Sequence, residues 1–240
     1  MPSANFTSRL QFVGSFFSAA SSFMAIIAIA GALLFATTAQ AQEKTQAEAK
    51  YVIAVFGDSL GAGYKLPAEA GFPAVLEKSL RQAGHSQVSV KNASVSGDTS
   101  TGGLARLDWA LHGKIDAVIV ELGANDMLRG IDPAKTRQAL DAIITRIKAR
   151  GAQVLLAGMV AAPGMGKQFE QQFNAIYPAL AEKHAVPLMP FFLDGVAGSK
   201  DLTLPDGMHP NTKGVEVMVR KILPLVVKLI AANTKPASKF

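Results

Sequence analysis

The sequence predicts an α/β protein, a single domain in which a five-stranded parallel sheet is sandwiched between two layers of helices, behind a leader segment. Three observations predict it. From Tyr51 onward, short β-branched apolar runs alternate with longer amphipathic stretches, the pattern of βα units. A chain of 240 residues with 49% hydrophobic and 18% charged residues holds one sizeable core and is short for two. The first 41 residues differ in composition from all that follows.

The leader opens with a single charge, Arg9, followed by a nearly unbroken run of apolar and small residues from Leu10 to Ala36. It ends in Ala39-Gln40-Ala41, the small-x-small pattern that a signal peptidase cuts, so residues 1–41 are expected to be removed before Gln42. The mature domain is then 42–240, periplasmic or secreted. The alternative is an uncleaved membrane anchor, because the run is also long enough to cross a hydrocarbon core of ~30 Å.

Strands are expected over Tyr51 to Phe56, Val88 to Ala93, Ala117 to Leu122, Gln153 to Ala157 and Val186 to Pro190. Between them, helices are expected over Pro67 to Ala83, Gly102 to Leu111, Pro133 to Arg150 and Lys167 to His184. A last helix should run from Thr212 to about Ala232, with Asn211 as its N-cap and Pro210 ending the segment before it. The tail from Lys235 to Phe240 reads as frayed.

Composition narrows the chemistry. There is no cysteine, which removes disulfides, thiolate metal sites, lipoprotein processing and a cysteine nucleophile. The net charge of +6 is spread along the chain, without a basic block interleaved with aromatics, so nucleic acid is not an expected partner.

Open parallel sheets hold ligands at the carboxyl ends of their strands. Three polar loops fall there: Gly57-Asp58-Ser59-Leu60-Gly61, Ser94-Val95-Ser96-Gly97-Asp98 and Gly123-Ala124-Asn125-Asp126. Ser59, on a glycine-flanked turn, is the candidate nucleophile, and serine reacts only beside a base. His209 is the candidate base, with Asp206 three residues earlier placed to fix its tautomer and stabilise the imidazolium. His85, His112 and His184, at helix ends or exposed turns, read as structural. The backbone N–H groups of Ser59 and Gly97 and the amide of Asn125 are candidate donors to an oxyanion.

Two other readings compete. The text around Ser59 also fits the nucleophile elbow of an α/β-hydrolase carboxylesterase, but that fold places several strands and its oxyanion loop before the serine. Here one strand precedes it. A non-catalytic flavodoxin-like binding module would leave the pairing of Asp206 with His209 unexplained, and the chain lacks a phosphate-cradling glycine motif.

In these residues the chain resembles the SGNH subgroup of GDSL hydrolases, with Ser59 in GDSL, Gly97 in SVSGDTS, Asn125 in GAND and His209 in DGMH. The flanking text is similar to the secreted bacterial thioesterase I type, whose members are also described as lysophospholipases and arylesterases. The resemblance implies a flavodoxin-like sheet of order 2-1-3-4-5, no cofactor and no metal, and hydrolysis of small-molecule acyl esters, acyl thioesters and lysophospholipids by a monomer that touches membrane lipid transiently. Expected substrate contacts are Asp58, Leu60, Met127, Met159, Val160 and Ala161. Ala124 stands where such relatives often have glycine. The apolar segment Met159-Val160-Ala161-Ala162-Pro163 occupies a loop that lines their acyl groove, so chain-length preference does not carry over.

Overall fold

A computed structural model of the chain describes residues 51–233. The expected leader, its cut before Gln42 and the expected tail lie outside the described residues. The sheet consists of β1 (Tyr51–Gly57), β2 (Val88–Asn92), β3 (Ala117–Glu121), β4 (Gln153–Ala157) and β5 (Leu188–Met189). All pairings are parallel, in the order β2-β1-β3-β4-β5. The expected order therefore holds.

β1 and β3 are buried along their whole length. They read as continuous apolar runs because helices cover both faces of the sheet. β2, at one edge, turns towards solvent over its last residues.

The helices are α1 (Ser59–Ala62), α2 (Phe72–Gln82), α3 (Ser100–Ala110), α4 (Ala124–Leu128), α5 (Pro133–Ala149), α6 (Lys167–Asn174), α7 (Ile176–His184) and α8 (Thr212–Asn233). Their contacts divide into two groups: α2 packs with α8, while α5 packs with α3, α6 and α7. Phe56, Phe72, Phe173, Tyr177 and Phe192 are the largest side chains enclosed.

Three expected elements come out differently. The helix expected over Pro67 to Ala83 is a 3₁₀ turn at Ala68–Ala70 and then α2, separated by Gly71 in an extended conformation (φ −70°, ψ 155°). Pro73, in the first turn of α2, is tolerated only at such a start. The helix expected over Lys167 to His184 is two, α6 and α7. Pro178 accounts for the break, because in one continuous helix its ring would collide with the carbonyl of Asn174, the residue where α6 ends. The fifth strand shrinks from five residues to two, since Pro187 and Pro190 have no N–H to give to a ladder.

The last helix starts as expected. Asn211 Oδ1 accepts the Gly214 N–H at 3.1 Å, an N-cap.

The strand order reverses between β1 and β3, one connection leaving towards β2 and the other towards β4. At such a switch point open parallel sheets take their ligands, here outside the carboxyl ends of β1 and β3. The loop bearing Ser59 follows β1, and the loop bearing Asn125 follows β3.

Candidate active site

Ser59 is the first residue of α1, separated from β1 by Asp58 alone. Asp58 caps that short helix, its Oδ1 accepting the Leu60 N–H at 3.0 Å, and Gly63 closes it in the left-handed region (φ 79°). The turn is anchored from three sides. Gly57 O accepts the Val95 N–H at 3.0 Å and Arg106 Nη2 at 3.1 Å, and Glu121 Oε2 accepts the N–H groups of Asp58 and Gly61, each at 3.2 Å.

Ser59 Oγ lies 2.9 Å from His209 Nε2, and His209 Nδ1 lies 2.9 Å from Asp206 Oδ2. A carboxylate accepts and does not donate, so Nδ1 carries the proton and Nε2 offers its lone pair to the serine hydroxyl. Asp206 Oδ1 also takes the N–H groups of His209 and Met208, both at 3.0 Å. These backbone donors, followed by the imidazole, pull the Asp206 pKa down to about 2. The ring of Tyr64 lies against the imidazole, with centroids 4.4 Å apart.

The loop holding the pair is fastened at its base. Leu204 N–H donates to His209 O at 2.7 Å, Thr203 bridges Pro210, and Asn211 Nδ2 donates to the carbonyls of Asp201 and Thr203 at 2.9 and 3.2 Å.

Gly97 has φ of 88°, a conformation that favours glycine, and its carbonyl accepts Arg129 Nη2 at 2.8 Å. Asn125 sits in the first turn of α4, and its Nδ2 donates to Asp58 Oδ2 at 3.0 Å. That bond uses one amide proton and leaves the other. The neighbouring Asp126 serves a different purpose: it is buried and accepts the Ser100 N–H at 2.7 Å and Thr136 Oγ1 at 3.0 Å, tying α3 and α5 to α4.

Of the expected substrate contacts, Val160 is exposed, whereas Leu60, Met127, Met159 and Ala161 are buried. Asp58 has no exposed surface, and both its oxygens are engaged inside the protein. It therefore stands as a brace behind the turn and not as a group facing substrate. Met127 packs under the loop after β4, where its Sδ accepts the Ala162 N–H at 3.0 Å. A groove of about 720 Å³ flanks the far end of α1, lined by residues including Ala62, Gly63, Leu66, Pro73, Val90 and Asn92. None of Ser59, His209 or Asp206 reaches it.

Three residues around the site were not singled out in the sequence. Arg106 joins the second loop to β1: it pairs with Asp98, donates from Nη1 to Ala93 O at 2.7 Å and from Nη2 to Gly57 O, and lies 4.4 Å above the Phe56 ring. Glu121 lies under the turn and Tyr64 beside the imidazole. A charge ending the apolar run Ala117 to Val120 was the signal available for Glu121; for Arg106 and Tyr64 there was none. Of the histidines set aside, His184 pairs with Asp141 at 2.5 Å and His112 Nδ1 contacts Trp109 O at 2.9 Å.

Residues 55–217 match the GDSL-like Lipase/Acylhydrolase family. The chain is 38% identical over 187 residues to Esterase TesA of Pseudomonas aeruginosa, covering 78% of this chain and 92% of that protein. It is 40% identical over 186 residues to the Thioesterase 1/protease 1/lysophospholipase L1 of Escherichia coli K12, covering 75% and 88%. Among solved structures, the psychrotrophic esterase EstA from Pseudoalteromonas sp. superposes with a TM-score of 0.71 at 32% identity, covering 76% of this chain and all of that one.

Proposed function

Given that the chain belongs to the GDSL-like lipase/acylhydrolase family and is a serine ester hydrolase, we propose that Ser59 is its nucleophile, His209 its general base and Asp206 the partner that orients and charges the base. The observation that carries this reading is the continuous relay of two 2.9 Å contacts, Ser59 Oγ to His209 Nε2 and His209 Nδ1 to Asp206 Oδ2.

In the proposed reaction, Ser59 Oγ attacks the acyl carbon as Nε2 takes its proton, and the imidazolium is stabilised by the ionised Asp206. The carbonyl oxygen gains the negative charge, with the Ser59 and Gly97 N–H groups and the free proton of the Asn125 amide as its donors. Collapse of the intermediate expels the alkoxide or thiolate, which leaves with the proton held on Nε2. Water then attacks the Ser59 acyl ester by the same route in reverse and releases the carboxylic acid.

The substrates are small-molecule acyl esters and thioesters, with lysophospholipids as a further class. Exposed apolar side chains, Val95 after β2, Leu128 at the end of α4, Val160 after β4 and Met208 next to His209, support transient contact with lipid. The enzyme acts as a monomer outside the cytoplasm, after cleavage before Gln42. Intact-mass analysis of exported protein tests the cleavage, and retention of residues 1–41 in a membrane fraction would favour the anchor instead.

The decisive experiment is labelling with a fluorophosphonate probe, which traps an activated serine. The wild-type protein should label once, on a peptide containing Ser59, and lose esterase activity in proportion. Labelling elsewhere with activity lost would overturn the assignment.

A further inference from the structure

Glu121 is the last residue of β3 and has no exposed surface, yet neither the proposed acid–base pair nor the proposed oxyanion donors use it. Its Oε1 is buried and lacks a hydrogen-bond partner among the described residues. A buried carboxyl with an unpaired oxygen is rare enough to need an explanation.

The contacts of its other oxygen show what the side chain holds. Oε2 accepts the N–H of Asp58 and the N–H of Gly61, both at 3.2 Å. These donors bracket Ser59, one residue before it and two after. The flanking glycines make room for the carboxyl: a Cβ at Gly57 would stand 2.4 Å from Oε2, and one at Gly61 would stand 3.3 Å away. Gly57 is also the register partner of Glu121 across the β1–β3 pairing, so the clamp acts where the two strands end. Four residues further along the same chain segment is Asn125.

We propose that Glu121 is a positioning residue for ester hydrolysis: its carboxyl clamps the backbone on both sides of Ser59 to the strand that delivers Asn125, and so sets nucleophile and amide in one frame. The proposal rests on Ser59 being the nucleophile. The carboxyl is neutral in this role. Burial first, and the adjacent Asp58 carboxyl second, hold its pKa well above the ordinary carboxylate range. Neutrality suits the place, because a second full negative charge under Ser59 would oppose the charge that develops on the substrate oxygen, while a neutral carbonyl accepts both N–H groups without doing so.

Two variants test it. Glu121→Met fills a similar volume without a strong acceptor, and Glu121→Gln keeps a neutral carbonyl in place. Glu121→Met should lower kcat roughly 10- to 100-fold, the scale of losing buried hydrogen bonds, with KM little changed. Fluorophosphonate labelling of Ser59 should slow in parallel, and Glu121→Gln should recover most of both losses. If kcat per folded molecule were unchanged in Glu121→Met while only the melting temperature fell, the positioning role would be wrong. Glu121→Gln as damaging as Glu121→Met would overturn the neutral acceptor.

Should Glu121→Met fail to fold, infrared difference spectra of wild type against Glu121→Gln at neutral pH decide the protonation state. Loss of a carboxylic-acid band supports the neutral acceptor, and loss of a carboxylate band instead refutes it, while kcat in Glu121→Gln close to wild type supports the clamp and a loss as large as that of Asn125→Ala overturns it. Ser59→Ala separates the two readings, since an active Ser59→Ala enzyme removes the nucleophile assignment whatever Glu121 does. With Ser59→Ala inactive, a failed Glu121 test removes only the clamp.

Discussion

Asn125 Nδ2 donates to Asp58 Oδ2 across 3.0 Å, joining the first turn of α4 to the cap of α1, 67 residues apart in sequence. The other oxygen of that carboxylate receives the Leu60 N–H, so one buried side chain aligns the Asn125 amide with the helical turn that starts at Ser59. Exchanging Asp58 for asparagine must turn a donor towards one of those two donors. Asp58→Asn should therefore cost about 1–3 kcal/mol and reduce kcat roughly 10- to 100-fold. Steady-state kinetics beside a denaturant titration measure both, and a fully active variant would remove Asp58 from the site's support.

Asn125→Ala removes the amide proposed as an oxyanion donor and frees Asp58 Oδ2 as well. A kcat loss of roughly 10² to 10³, about 2.7–4 kcal/mol, with a modest change in KM is expected if the amide meets the oxyanion. A former of the α4 turn would behave differently, with a lower melting temperature, a higher KM and kcat nearly preserved. One preparation assayed for all three distinguishes the roles.

Ser59→Ala and His209→Ala should each remove several orders of magnitude of turnover, and the double variant should be little worse than either, because the members of a triad act as a unit. Neither side chain belongs to the apolar core, so the circular dichroism spectrum should match that of the wild type. Additive losses in the double variant would contradict the relay.

Gly57→Ala places a Cβ 2.4 Å from Glu121 Oε2 and 2.5 Å from the Glu121 carbonyl oxygen. One of these is backbone in a central strand and has little freedom to move. Overpacking of this kind costs about 1–3 kcal/mol, and turnover should fall with it because the shift is delivered one residue from Asp58 and two from Ser59. Chemical denaturation and kcat are the readouts; no change in either would mean that the turn yields to the added methyl group.

Two carboxyls give stability opposite dependences on pH. Asp206 is lowered to about 2 by its hydrogen bonds, so its contribution is present above its ordinary value of 3.8 and is lost as pH falls through about 2. Asp58 is raised to about 6 by burial, so its contribution is complete below 3.8 and is lost as pH rises through about 6. Melting temperature measured from pH 3.5 to 7.5 should therefore slope less steeply with pH in Asp58→Asn than in wild type. An identical slope would exclude Asp58 as a titrating group.

Where reading from sequence succeeded or failed has local causes. β1 and β3 were legible because strands buried on both faces are continuous apolar runs, and the loops bearing Ser59 and Asn125 were legible because each follows such a run. Helix continuity was less so, since an amphipathic period continues through Ala175 and only the geometry at Pro178 ends the helix. The reach of Ser59 to His209 follows from chemistry that pairs serine with a base. The brace role of Asp58 and the presence of Glu121 under Gly57 depend on which side chains lie beneath a turn, which spacing along the chain does not encode.

The contact between Ser59 and His209 spans 150 residues, whereas Asp206 and His209 are paired within a single stapled loop. The proposed acid–base half is thus local and the proposed nucleophile remote, and on that reading reactivity requires the segment just ahead of the last helix to dock onto the first strand's loop. If Ser59 is the nucleophile, a serine made early in synthesis gains its base only on that docking, so the onset of fluorophosphonate reactivity in a refolding experiment should follow the docking of this segment and not formation of the sheet alone.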